Sequence, residues 1–214
     1  MRSFIGYYRD CDLLTMTGTF FALLGCLLAI NGYFLAPIFC LVLSGICDGF
    51  DGKLARRKKY PEEQSVYGVQ LDSLSDLISF GVFPLVLTSS VLNSLDLSNN
   101  IMIIAWISLL FYSLCGMIRL AYFNTLDICN KSESGIFIGV PITTISILYP
   151  LCYLICYFLK FKYFEYIVPV FFILVGLSFI YGIKIKKLND KQKIILAVIG
   201  FLAIIGVVAF YLIK

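Results

Sequence analysis

The chain has 214 residues, of which 60% are hydrophobic and 14% charged, whereas soluble domains run to about half apolar and about a quarter charged. That composition excludes an ordinary soluble domain, and a net charge of +4 without a basic tract interleaved with aromatics offers no footprint for nucleic acid. Without histidine and without a Cys-x-x-Cys pair a zinc site of the usual types is not expected, and the absence of histidine excludes any Ser-His-Asp or Cys-His pair.

The first twelve residues, MRSFIGYYRDCD, read either as a short interfacial helix with Phe4, Ile5 and Tyr8 on one side or as a disordered tail. A spanning helix needs about 20 mostly apolar residues. Residues 13–47 carry no charge, but Asn31-Gly32 breaks them, which predicts helices over 13–31 and 33–56 joined by a tight hairpin. Further apolar runs predict helices at 68–92, 101–123, 136–159, 164–184 and 192–213. Polar or turn-forming loops separate them at 57–66, 93–100, 124–135 and 185–191, and no linker divides the chain. The expectation is an all-α integral membrane protein forming one domain over 1–214. Tyrosines near run ends (Tyr149, Tyr163, Tyr166, Tyr181, Tyr211) read as interfacial anchors. Most of the eight cysteines fall inside apolar runs without a Cys-x-x-Cys pair, so they read as small buried residues.

Basic residues favour the cytoplasmic side of short loops. With the N-terminus on that side, Arg2, Arg9, Lys53, Arg56–Lys59, Arg119, Lys131, Lys184 and the lysines at 186–193 all fall inside, and only Lys160, Lys162 and Lys214 fall outside. The chain is therefore expected to lie in the cytoplasmic membrane with residues 48–76 at the cytoplasmic surface.

Those residues, DGFDGKLARRKKYPEEQSVYGVQLDSLSD, hold four aspartates at helical spacing. Asp48 and Asp51 are three apart, and Asp72 and Asp76 four apart, so each pair shares a helix face. Carboxylates bordering a membrane are costly and need cations. Arg56 supplies one charge, and hard oxygen donors suit Mg²⁺, Mn²⁺ or Ca²⁺. Gly49, Gly52 and Ala55 sit beside the first pair, and Gly68, Asp72 and Asp76 form an i, i+4, i+8 line, so missing side chains leave room for a ligand. Gly45-x-x-x-Gly49 also fits close helix packing, which explains none of the aspartates. RKKYPEE at 57–63 reads as a solvated charged face. Two metals about 3.5–4 Å apart clamp a phosphate, and a further carboxylate can accept a proton from an attacking hydroxyl. The pattern points to phosphoryl transfer on a lipid-borne substrate.

Asp48-x-x-Asp51-Gly52-x-x-Ala55-Arg56, followed after eleven residues by Gly68-x-x-x-Asp72-x-x-x-Asp76, resembles the signature of the CDP-alcohol phosphatidyltransferases. LDSLSDLISFGVFP at 71–84, CGMIRLAYFN at 115–124 and FIGVP at 137–141 are similar to the phosphatidylserine synthase branch, so the resemblance covers roughly residues 13–145. Tyr122 stands where that branch usually has a second arginine, and Thr143 where it has a proline. The resemblance implies a homodimeric membrane enzyme with a six-helix core, so the run at 192–213 would be an extra C-terminal helix. It implies divalent-metal-dependent displacement of CMP from a CDP-linked substrate. By that resemblance Asp48, Asp51 and Asp72 bind metal and help hold the pyrophosphate. Asp76 completes the metal site and acts as general base. Gly52, Ala55, Arg56 and Gly68 line the CDP pocket.

Arg119 is the one basic residue between Lys59 and Lys131. It either snorkels from a helix end or grips a phosphate or carboxylate through paired hydrogen bonds. Asn124 is a candidate for substrate contact and equally for a cap. The expected reaction transfers a phosphatidyl group from CDP-diacylglycerol to L-serine with two divalent ions bound. Glycerol phosphate, inositol phosphate or another small alcohol is the alternative acceptor. A divalent-cation transporter is the alternative class, disfavoured because no acid at mid-membrane depth continues an ion path.

Overall fold

The computed structural model describes residues 5–95, 97–129, 136–158, 163–182 and 184–186. Helices α1 (Asp12–Ile30) and α2 (Leu35–Ala55) form the expected hairpin. Its turn works because Gly32 takes a positive φ of 84°, a conformation open to glycine. Helix α3 runs unbroken over Glu62–Asn93 and α4 over Asn99–Ile128. A 3₁₀ turn at Ile142–Thr144 leads into α5 (Ile145–Phe158), and α6 spans Phe164–Ile180.

Helices α1 to α4 are long and apolar enough to cross a membrane, and α5 and α6 are shorter apolar helices. On α1 the residues Leu13, Met16, Phe20, Leu23, Leu27 and Ile30 recur every three or four positions and are all exposed. On α4, Ile103, Ile107, Leu110, Leu114 and Met117 do the same. An outside this apolar is stable only against lipid, so the chain is a multi-pass membrane protein.

Small residues set the helix contacts, as expected where lipid removes most of the hydrophobic drive for association. Gly18 of α1 meets Ser44 and Cys47 of α2, and Gly25 receives the ring of Phe83. Gly176 of α6 brings that backbone onto Tyr112 of α4. The core gathers Leu41, Phe80, Phe83, Leu87, Tyr112, Ile145 and Phe172, and Tyr112 packs edge-on to Phe172 at 5.0 Å.

Several expectations need correction. Residues 5–11 are not helical; they lie as an irregular strap against the start of α3. The helix expected at 136–159 begins only after Pro141, because Ile136–Ile138 pairs antiparallel with Lys184–Lys186 in a two-stranded ribbon. That ribbon also takes the end of the helix expected at 164–184. Tyr149 is no interfacial anchor: it is buried, and its hydroxyl accepts a hydrogen bond from Thr88. Tyr163, Tyr166 and Tyr181 are exposed, as anchors must be. The expected helix at 192–213, Tyr211 and most of the loop 185–191 lie outside the described residues.

One feature of α3 follows from Pro84. Proline has no N–H, so the carbonyl four residues earlier, on Phe80, loses its helical partner. The helix widens into a π segment over Leu77–Val82. Tyr112 of α4 donates its hydroxyl to the Phe80 carbonyl, and Ser113 donates to the Gly81 carbonyl at 2.8 Å. Backbone carbonyls inside a membrane must be satisfied by protein, and here α4 does it.

Candidate active site

The π segment begins immediately after Asp76, which ends the regular part of α3. Local widening of this kind concentrates at functional sites. Asp48 near the end of α2 and Asp72 and Asp76 on α3 each contribute a carboxylate oxygen, and these oxygens lie within 4.8 Å of one another. All three residues are half-buried. Like charges this close, partly withdrawn from water, repel strongly. A hard divalent cation removes the repulsion and takes oxygen ligands of this kind. The donor set therefore fits a metal of the Mg²⁺ class.

Asp51 stands outside this group of three. It is buried, 4% exposed, and accepts a 2.7 Å hydrogen bond from the Thr15 hydroxyl of α1. It still lines the same cleft as Asp48 and Asp76, together with Thr15, Ser44 and Ser79. The helical spacing of Asp48 and Asp51 thus aims one carboxylate into the acidic group and ties the other to α1.

The small residues divide. Nothing lies within 4 Å of where a side chain on Gly49 would begin, so that flank is open, whereas Gly45 packs against Ser146. The Gly45-x-x-x-Gly49 pattern is therefore a packing contact at its first member only. The exposed Arg56 folds back over Gly52, with Nη1 3.5 Å from where a Cβ would sit, and Ala55 is half-buried beside them. Gly68 is buried for a reason the sequence does not reveal: the guanidinium of Arg9 rests on it.

Arg119 is buried on α4, 7% exposed, with its guanidinium 4.5 Å from the centre of the Phe123 ring. Asp76 and Asp48 both act on its charge. Its Nε has no hydrogen-bond partner among the described residues. A buried charged donor left unsatisfied is expensive, which suits a group held for an anionic ligand. A snorkelling arginine would reach water instead. Asn124 accepts a 2.6 Å hydrogen bond from Ser73 Oγ, next to Asp72, and so ties α4 to the acidic stretch of α3. Tyr122 is exposed and stacks edge-on to Phe123.

Sequence reasoning missed Thr15 and Arg9. Thr15 sits in an apolar run where a threonine usually bonds its own helix, and Arg9 reads as one more positive-inside charge.

The chain is similar to several known proteins. Over 206 residues the chain is 30% identical to a CDP-diacylglycerol--serine O-phosphatidyltransferase of Helicobacter pylori, covering 94% of this chain and 82% of that protein. It is 36% identical over 203 residues to the protein of that name from Methanocaldococcus jannaschii, covering 94% and 86%. An archaetidylserine synthase of Methanothermobacter thermautotrophicus is 36% identical over 139 residues, covering 64% of this chain and 56% of that protein. Residues 11–183, which hold every element from α1 to α6, match the family described as CDP-alcohol phosphatidyltransferase, and the chain belongs to that family of transferases.

Proposed function

We propose that the chain transfers a phosphatidyl group from CDP-diacylglycerol to L-serine and releases CMP. The observation that carries this reading is the convergence of the Asp48 carboxylate, near the end of α2, with those of Asp72 and Asp76 on α3, to within 4.8 Å of one another. The three similar proteins support the acceptor, since their names differ in the lipid but share serine.

Asp48, Asp72 and Asp76 would hold two divalent ions, Mg²⁺ or Mn²⁺, with Asp51 completing the acidic lining. When bound, such ions neutralise charge on the phosphates and on the departing nucleotide. Gly52, Ala55 and Arg56 would border the CDP moiety, and Gly68 would do so through the guanidinium of Arg9 that rests on it. Arg119, short of one hydrogen-bond partner, grips the serine carboxylate or the transferred phosphate, and Asn124 holds the neighbouring helix face in register. Asp76 removes the proton from the serine hydroxyl. The serine oxygen then bonds to the phosphorus bearing the lipid, the bond from that phosphorus to the CMP oxygen breaks, and CMP leaves. The acyl chains remain in the bilayer and enter between helices from the side. The whole chain acts as one domain in the cytoplasmic membrane, as a homodimer, with the aspartates facing the cytoplasm.

The test uses the purified full chain with CDP-diacylglycerol, Mn²⁺ and one labelled alcohol at a time. Serine should yield a labelled lipid and equal CMP. A labelled lipid from glycerol phosphate or inositol phosphate, with none from serine, would move the acceptor and leave the reaction class standing. Mn²⁺ transport without CMP release would favour the transporter.

A further inference from the structure

The strap at residues 5–11 makes five contacts with the α2–α3 loop and the first turns of α3. Tyr8 meets the Tyr67 ring edge-on at 5.6 Å, and Tyr7 meets it at 6.4 Å. Asp10 pairs with Lys58. Arg9 lies 5.7 Å from the centre of the Tyr60 ring, and its guanidinium covers Gly68.

Arg9 is fixed, not merely near. Asp12, 1% exposed, takes its Nε at 2.9 Å and its Nη2 at 2.8 Å on one oxygen, and its backbone N–H at 2.8 Å on the other. A Cβ added to Gly68 would fall 1.8 Å from the guanidinium carbon. The missing side chain at 68 is therefore what lets a flat cation lie on the helix backbone. Gly68 is one turn before Asp72 on the same face, about 6 Å along the axis, and the Asp72 charge acts on Arg9. Asp51 also senses Arg9. Burial alone would lower the Arg9 pKa, but Asp12 above all, then Cys11 and Asp72, together raise it, so the cation persists at any physiological pH. Asp12 engages Nε and Nη2, and Nη1 is the guanidinium nitrogen outside that pair.

The acidic cluster thus lies between two guanidinium groups. Arg119 acts on Asp76 and Asp48 from α4, between the contacts of Tyr112 with Phe80 and of Asn124 with Ser73. Arg9 stands at the watery end, beside the exposed loop carrying Arg57 and Lys58. A lipid-linked nucleotide has the same polarity, with its acyl chains in the bilayer and its nucleotide toward water.

We propose that Arg9 is a substrate-binding residue, seated on Gly68 by Asp12 so that Nη1 pairs with a phosphate oxygen of the nucleoside diphosphate on the watery side of the carboxylates. This rests on the nucleotide-dependent reading above and adds a contact from a segment outside the Asp48–Asp76 stretch.

The test separates the two ideas by measuring binding without turnover. CDP is titrated into the full chain with Mn²⁺ present, and Mn²⁺ alone is titrated and followed by its electron-spin resonance signal. In Arg9→Ala the dissociation constant for CDP should rise about 10–100-fold, the usual loss for a hydrogen bond to a charged group. Mn²⁺ binding without nucleotide should hold or tighten, because a positive charge beside Asp72 is gone. Gly68→Ala should reproduce the CDP defect by displacing the guanidinium, and Arg9→Lys should recover part of the affinity. If Arg9→Ala does not fold, those two variants decide. CDP affinity within about twofold of wild type in the variants, or tighter binding because the notch has been vacated, overturns the proposal. Failure of the wild-type chain to bind CDP would overturn the nucleotide reading instead.

Discussion

Thr15 and Asp51 join α1 to α2 through a 2.7 Å hydrogen bond in which the hydroxyl donates and both side chains are buried. Asp51 lines the cleft shared with Asp48 and Asp76, so this bond fixes one wall of the acidic site against the first helix. Replacing Thr15 with Val keeps the shape and removes the donor. Leaving a buried carboxylate short of a partner costs about 1–3 kcal/mol. Thermal unfolding in detergent should show a lower midpoint for Thr15→Val, with most of the loss restored in Thr15→Ser.

Asp76 is assigned the proton transfer, a role that contributes roughly 10²–10⁴-fold to rate. Asp76→Asn should lower kcat by that order while CDP, in the presence of Mn²⁺, still binds. Steady-state CMP release and nucleotide titration on the same preparation check both halves. Unchanged turnover would remove Asp76 as the base.

Arg119 carries an unsatisfied Nε and lies against Phe123. A lysine can supply charge there but neither the planar fork nor the stacking. Arg119→Lys and Arg119→Ala should both raise KM for serine, by about tenfold or more for the alanine variant. The Kd for CDP should move far less. Equal weakening of both ligands would assign Arg119 to the phosphate instead.

Tyr112 caps the Phe80 carbonyl that Pro84 leaves without a helical donor. Tyr112→Phe should destabilise the protein by about 1–3 kcal/mol. It should also lower kcat, because the π segment starts at the residue after Asp76. Ser113→Ala removes the neighbouring bond to Gly81 and should add to the defect. Unfolding midpoints and CMP release in the single and double variants test this.

The aspartates were legible in the sequence because charge at the border of apolar runs has few explanations, and helical spacing showed which could share a face. Helices α1 to α4 were legible because lipid demands length and apolarity together. What the chain concealed depends on three-dimensional partners. Spacing alone could not show that Asp51 turns to Thr15 while Asp48 turns to Asp72 and Asp76. The helix expected at 68–92 carried no reading of Pro84 as a disturbance, and only the fold shows the freed Phe80 carbonyl met by Tyr112. Gly68 announced a space, and only the fold shows that Arg9 fills it. The ribbon joining Ile136–Ile138 to Lys184–Lys186 was hidden because short apolar stretches beside a proline read equally well as helix. Tyr149 misled because its position near a run end outweighed the possibility of a buried partner such as Thr88.

CMP release under metal control is the most direct test that the carboxylates of Asp48, Asp72 and Asp76 form a cation-dependent centre for transfer to serine. The full chain is stripped with EDTA, given CDP-diacylglycerol and serine, and then titrated with Mn²⁺. CMP and phosphatidylserine should appear together only after the metal is added, and Asp72→Asn should shift the titration to higher Mn²⁺. Equal CMP release before and after the metal, or a titration that Asp72→Asn leaves in place, would contradict it.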